Sequence, residues 1–324
     1  MKETIGGYFE WEFPPVKNHG LHDGEILLNS CRHSLEYILR GLNEVALIWI
    51  PYFTCEVVLE PLKRLNIPYR FYHVNRGLEI ATDVALAEKE YLVYTNYYGI
   101  KDAYVKSLVK KYGNNLIVDN AQALFSPPHK ECHQVYSPRK YIGMPDGGLA
   151  VTSIPDESSA LPVDISYGRC LHLLKRMELS PSEGYRDFQN DDEQISNCQL
   201  SRMGTISRSI FASVDFASVK QKRRDNFAVL HNALHETNKL VIPFMGQFEC
   251  PLIYPYWLEN GKELKKKLIS KSIFVATYWP NVFEWCKSDD LEYKLADNVV
   301  CIPIDQRYGK DDMERILKEI EKCC

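Results

Sequence analysis

The chain reads as an α/β protein, with a mostly parallel sheet flanked by helices and a smaller C-terminal α+β domain. Two observations carry this. Short apolar runs alternate with helical patterns through the first part of the chain, the rhythm of parallel strands joined by crossover helices. From about Gln199 that rhythm gives way to a long helical stretch and then to scattered short strands. The division expected is a large domain over 1–205, made of an N-terminal arm and a mixed or parallel sheet, and a connecting helix with a small domain over 206–324.

Each element has a local reason. Asn29-Ser30 looks like a helix cap before Ser34 to Leu39, where Leu35, Ile38 and Leu39 share one face and Gly41 marks the exit. Ala46 to Ile50 reads as a strand entering Pro51-Tyr52-Phe53-Thr54, and Glu56 to Leu65 as its returning helix. Tyr91 to Thr95 is the next strand, Val105 to Lys111 its helix, and Leu116-Ile117-Val118 the strand after that. Ser209 to Leu234 reads as one extended helix, with Lys220, Lys222, Arg223 and Arg224 on a solvated basic face. Strand candidates follow near Leu252 to Tyr256, Phe274 to Thr277 and Val299 to Ile304, and a helix through Asp312 to Ile320 closes the chain. There are no internal repeats or low-complexity tracts, which argues against a solenoid.

Composition permits one large core or two unequal ones: 324 residues, 45% hydrophobic and 25% charged. A net charge of -4 gives no bulk electrostatic reason to bind nucleic acid or an anionic membrane. Met1 to Gly7 lacks the apolar core of a signal peptide, and no apolar run is long enough to span a bilayer, so a cytoplasmic location is expected. The ten cysteines are scattered without metal-ligand spacing and read as reduced thiols packed as small apolar side chains, with Cys323-Cys324 a frayed end. No metal site is expected.

The segment from Leu116 to Gly148 holds the chemistry. An apolar strand ends at Asp119-Asn120-Ala121-Gln122, and Ser137-Pro138-Arg139-Lys140 precedes the turn Asp146-Gly147-Gly148. An acid, a hydroxyl and a lysine in that order suit pyridoxal phosphate, which needs an amine for a Schiff base, a carboxylate to keep its pyridine nitrogen protonated, and donors for its phosphate. In a parallel sheet ligands lie at the carboxyl ends of strands. Four such ends carry candidates: Ser30, Cys31 and Arg32 at a helix start, Tyr52, Phe53 and Cys55 as flat or small neighbours of the ring, Asn96 as a donor to a ring oxygen, and Asp119 with Gln122. Plainer readings stand beside these. Ser30 and Asp119 could each be helix caps, Tyr52 and Phe53 core aromatics, and Lys140 a surface lysine.

The order Asn29-Ser30-Cys31-Arg32, Pro51-Tyr52-Phe53-Thr54-Cys55, Asp119-Asn120-Ala121-Gln122, Ser137-Pro138-Arg139-Lys140 and Asp146-Gly147-Gly148 resembles the DegT-like sugar aminotransferases among fold-type I pyridoxal phosphate enzymes. The closing Cys301-Ile302-Pro303-Ile304 and its helix extend the resemblance over nearly the whole chain. It implies that Lys140 forms the Schiff base, Asp119 pairs with the pyridine nitrogen and Gln122 bonds near the ring hydroxyl. Ser137 and the amides around Cys31 and Arg32 would hold the phosphate. The implied reaction moves an amino group, from glutamate by analogy, to a keto-sugar or sugar nucleotide, with the freed lysine amine relaying the proton after desolvation has made it neutral. A homodimer is implied as well. The chain departs from the family in having Cys31-Arg32 where Gly-Thr is usual, Asn96 where many members have His, and Cys55 about where some members place the stacking aromatic. A lyase or other carbanion enzyme of the same fold, or a non-catalytic binding or regulatory protein, stays open. For anionic substrate groups Arg169, Arg186 and Arg307 are candidates.

Overall fold

The computed structural model describes residues 7–17 and 20–322; the terminal Cys323-Cys324 pair and residues 1–6 lie outside it. The first half runs β1 (Ile26–Leu28), α1 (Cys31–Gly41), β2 (Leu47–Pro51), α2 (Leu59–Arg64), β3 (Tyr69–Tyr72), β4 (Glu90–Thr95), α3 (Asp102–Tyr112), β5 (Leu116–Asn120), β6 (His133–Tyr136) and β7 (Gly148–Val151). Two helices follow, α4 (Leu171–Glu178) and α5 (Pro181–Asn197), then α6 (Thr205–Ser213) and α7 (Phe216–Leu234). The chain ends with β8 (Ile253–Trp257), α8 (Gly261–Ser270), α9 (Val282–Trp285), α10 (Leu291–Asn298), β9 (Val299–Pro303) and α11 (Lys310–Glu321).

Seven strands form one sheet in the order β1-β7-β6-β5-β4-β2-β3, and β8 pairs with β9 in a second, antiparallel sheet. From β3 to β6 every pairing is parallel, while β7 runs antiparallel to both β6 and β1. This is the α/β architecture expected, with the antiparallel β7 setting the mixed edge. Both faces are covered, as a parallel sheet requires. Val93, Ile117, Val135 and Ala150 point to one face, against Leu35 and Ile38 of α1 and Leu62 of α2. Their chain neighbours Leu92, Tyr94, Leu116, Val118, Tyr136 and Leu149 point to the other, into a core that continues through Phe227 and Leu230 of α7 to Tyr254, Ile302 and Ile316. The boundary proposed at 205/206 falls at the start of α6, and the core on this face crosses it without a break.

Three expectations are corrected. The helix drawn from Ser209 to Leu234 is two helices, because Val214 is extended and the Asp215 carboxylate accepts from Ser218 N–H at 3.0 Å, capping α7 afresh. Its basic face is not simply solvated. Arg223 is 2% exposed, donates to the Leu252 carbonyl and Gln306 Oε1 at 3.0 Å each, and lies 4.5 Å from the Tyr141 ring centroid. The strand expected at Phe274 to Thr277 reduces to a single bridge between Ala276 and Cys301. The helix over Glu56 to Leu65 is present as a 3₁₀ turn followed by the short α2.

Two glycines allow backbone segments to approach closely. A Cβ on Gly148 would lie 2.1 Å from the Ser30 carbonyl carbon and 2.5 Å from Cys31 N, so only glycine lets β7 pass under the start of α1. Gly99 has φ +70 and would clash with the carbonyls of Cys250 and Gln122, at 2.7 and 2.8 Å. Among the described residues, no helix is long and apolar enough to cross a membrane.

Candidate active site

Parallel register brings the candidates to one edge of the sheet. Thr95 pairs with Asp119, and Asn120 with Tyr136, so the carboxyl ends of β4, β5 and β6 deliver Thr95, Asp119 and Ser137 side by side. On the flank, Ser30 bridges Gly147, and Gly147 N–H donates to the Asn29 carbonyl at 2.8 Å, which sets the first turn of α1 against the glycine turn. Asp146 is fully buried and fixes that turn, its carboxylate accepting from Gly204 N–H at 2.7 Å and from the Ser207 hydroxyl.

Between these ends lies a cavity of about 150 Å³ that Lys140, Asp119, Gln122, Ser137, Ser30, Cys31 and Arg32 all line. Asp119 is 8% exposed. One carboxylate oxygen accepts from Ala121 N–H at 2.9 Å, and the other meets no protein donor among the described residues. Burial pushes its carboxyl up from the usual carboxylate range, and the Lys140 ammonium and the Ala121 bond partly oppose that rise. A desolvated acid with a free oxygen facing a cavity is a socket for a cationic nitrogen. Gln122 Oε1 accepts from Tyr98 N–H at 2.9 Å, while its Nε2 is buried with no partner. An orphaned amide donor beside a cavity is a place for a ligand oxygen. Lys140 sits exposed on the 3₁₀ turn Pro138–Lys140 at the rim, so the desolvation expected around its amine is not supplied by the protein alone.

The first turn of α1 differs in detail from expectation. Neutral His33, its imidazole held by burial down to about 4, donates from Nε2 to the Cys198 carbonyl at 3.0 Å. Its Nδ1 is then an acceptor, and the Ser30 hydroxyl donates to it at 2.8 Å while accepting from His33 N–H at 3.3 Å. The Ser30 hydroxyl proton is therefore committed, leaving the amides of Cys31 and Arg32 as the first-turn donors. Arg32 is ion-paired with Glu60 at 2.8 Å and bonded to Ser196, its side chain 7% exposed, so its charge is partly neutralised. Burial pushes the Cys31 and Cys55 thiols up, which keeps both protonated in the cavity wall.

Three candidates are not brought to the cavity. Tyr52 stacks on Phe71 and His73 at centroid distances of 4.7 and 4.6 Å. Phe53 is 1% exposed and packs into the core. Asn96 turns away into a buried polar network, its Nδ2 donating to Asp102 Oδ1 at 2.8 Å and to Asn120 Oδ1 and Ser126 Oγ at 3.0 Å. Its Oδ1 accepts from Lys101 N–H. In each case a nearby partner outcompetes the cavity. Of the arginines, Arg169 is buried against Asp164 at 2.6 Å, and neither it nor Arg186 lines the cavity or the grooves beside it. Arg307 does line those grooves.

Sequence reading missed two contributors. Trp279, on the loop before α9, lines the cavity from the C-terminal half; the cluster Tyr278-Trp279-Pro280-Asn281 was its only signal. The α4–α5 pair was missed as well. Asp192 of α5 closes one side of the cavity, 3.1 Å from Arg139, whose buried Nε has no partner.

The chain thus combines a mixed α/β sheet with a cavity at the carboxyl ends of its parallel strands. No protein-family model matches the sequence, and no curated protein matches it. Solved structures do. The putative sugar aminotransferase Spr1654 from Streptococcus pneumoniae, in its apo form, superimposes with a TM-score of 0.63 at 14% identity, over 91% of this chain and 84% of that one. A DegT DnrJ EryC1 StrS aminotransferase from Brucella abortus gives 0.60 at 13%, over 92% and 85%. The sugar aminotransferase CalS13 from Micromonospora echinospora gives 0.58 at 14%, over 92% and 87%. Spr1654 also matches in its PLP and PMP forms. The resemblance read from the sequence therefore holds at the level of the fold.

Proposed function

We propose that this chain is a pyridoxal phosphate-dependent aminotransferase that moves an amino group from an amino acid, glutamate by analogy, to a keto-sugar or sugar nucleotide. The observation that carries the reading is one cavity holding an amine at its rim, a desolvated carboxylate with an open oxygen, and an orphaned amide donor, Lys140, Asp119 and Gln122. The residues present fit the cofactor. Asp119 suits the pyridine nitrogen, Gln122 Nε2 a ring oxygen, and Ser137 with the Cys31 and Arg32 amides the phosphate. When bound, the cofactor supplies a carbonyl that captures amines and a ring that accepts the electrons of a deprotonated carbon.

The chain's own groups do the rest. Lys140 Nζ, at the cavity rim, would serve as the base that takes the proton from the donor's α-carbon and holds it for return to the far side of the bond system. Asp119 stays ionised beside a positive nitrogen and so keeps the proton on it. Next to the cavity, a groove of about 810 Å³ shares Arg139 and Lys140 with it and extends past Tyr185 to Arg176 and Arg307. Arg176 is the cation we assign to anionic groups of the acceptor; the Arg307 guanidinium lines the same groove but is already engaged by Asp305 at 2.7 and 2.9 Å. The homodimer belongs to the same proposal. Tyr167, Leu171 and Met177, which are 76, 48 and 78% exposed around α4, are the apolar side chains it would cover.

Incubated with the cofactor, the purified protein is expected to gain a near-visible absorbance band that Lys140→Ala lacks, and to move label from [¹⁵N]glutamate to a keto-sugar panel. A wild type that stays colourless overturns the reading; a coloured protein that leaves the label on glutamate points to a lyase.

A further inference from the structure

We propose that Trp279 is the flat surface against which the cofactor ring lies, an inference that rests on the pyridoxal phosphate reading of the site. The two aromatics on the loop after β2 are not available. Tyr52 is stacked away on Phe71, and Phe53 is buried behind the cavity wall, leaving Cys55 as the loop's contribution to the lining. A thiol offers little area to a ring. Trp279 reaches the same cavity from the other half of the molecule, sharing its wall with Asp119 and Gln122.

The indole is held rather than merely nearby. Phe53 meets it edge-on at 4.7 Å and 89°, Tyr97 at 5.8 Å and 70°, and Tyr98 lies nearly parallel at 6.5 Å and 14°. Its backbone has φ +60, a left-handed conformation costly for a bulky side chain that persists only where the surroundings impose it. Two bonds impose it here. Asn281 Nδ2 donates to the Thr54 carbonyl at 3.0 Å, tying the Trp279 loop to the segment beside Cys55, and Val282 N–H donates to the Trp279 carbonyl at 3.0 Å. The edge-on contact with Phe53 and these two bonds together fix where the indole lies. Phe53 thus acts through Trp279, as a positioning residue.

The test is a titration of pyridoxal phosphate into the wild-type protein, W279F, W279L and a W285F control, reading tryptophan emission, the dissociation constant by dialysis, and circular dichroism of the visible cofactor band. In W279F the fall in emission on binding is expected to lose its largest single share, with the dissociation constant raised less than in W279L because a smaller ring still covers the cofactor. W279L is expected to bind about tenfold more weakly with a diminished dichroic band, and W285F to follow the wild type. Emission in W279F that falls as far as in the wild type, or W279L binding with unaltered affinity and dichroism, overturns the proposal while leaving the aminotransferase reading standing. A wild type that takes up no cofactor overturns both.

Discussion

Replacing His33 by glutamine is expected to flatten the acid loss of stability by a calculable amount. The His33 imidazole, ordinarily near 6.5, is held by burial down to about 4 in the folded chain. Between those values the unfolded chain binds a proton that the folded one refuses, so unfolding becomes easier as pH falls. The sign follows directly. The contribution is fully present above 6.5, declines as pH drops through the window, and is gone at about 4. A gap of about 2.5 pH units corresponds to about 3 kcal/mol over that window. Glutamine can still donate to the Cys198 carbonyl and accept from the Ser30 hydroxyl, but does not titrate. Urea unfolding at pH 7, 6, 5 and 4, followed by far-UV circular dichroism, measures the difference in slope between the two proteins, in which the carboxylates common to both cancel. His22, also held down to about 4, keeps its share of the slope in both. Parallel slopes for wild type and H33Q would refute the reasoning, since they would mean that His33 charges in the folded state and that the Ser30 hydroxyl is free for other work.

Other substitutions probe the same geometry. Asn96→Ala removes the donor shared by Asp102, Asn120 and Ser126 and is expected to cost about 2 kcal/mol or more in urea melts, with cofactor affinity unchanged. Loss of affinity at intact stability would put the amide on the ring after all. Gly148→Ala places a methyl 2.1 Å from the Ser30 carbonyl carbon. It is expected to lower stability by about 1–3 kcal/mol and, by displacing the first turn of α1, to weaken cofactor binding in the same dialysis assay; an unchanged melting temperature would contradict the close approach. The Lys140→Ala and Trp279 variants complete the set.

Local pattern made the centre of the sheet legible, the strands β2, β4 and β5. Apolar runs such as Leu116 to Val118 are buried on both faces, so they read as strands wherever they pack, and the Asn29-Ser30 pair announces α1 because a cap acts within four residues. The order Asp119, Gln122, Ser137, Lys140 is likewise a chain property, because β5 and β6 are neighbouring parallel strands consecutive in the chain, linked by residues 121–132. β1, β3, β6 and β7 were missed because three or four residues carry too little periodicity, and α4–α5 because its exposed apolar side chains blur the usual two-sided pattern. What only the tertiary structure decided is which side chains face the cavity. Asn96 and Phe53 sit at strand ends as the sequence suggests, but partners at sequence separations of 6 to 30 for Asn96, and core aromatics including the distant Trp279 for Phe53, hold them elsewhere. The chain alone determined the order of the chemistry along the strand ends; the competition of distant partners for each side chain, which local spacing does not encode, determined which of them line the cavity.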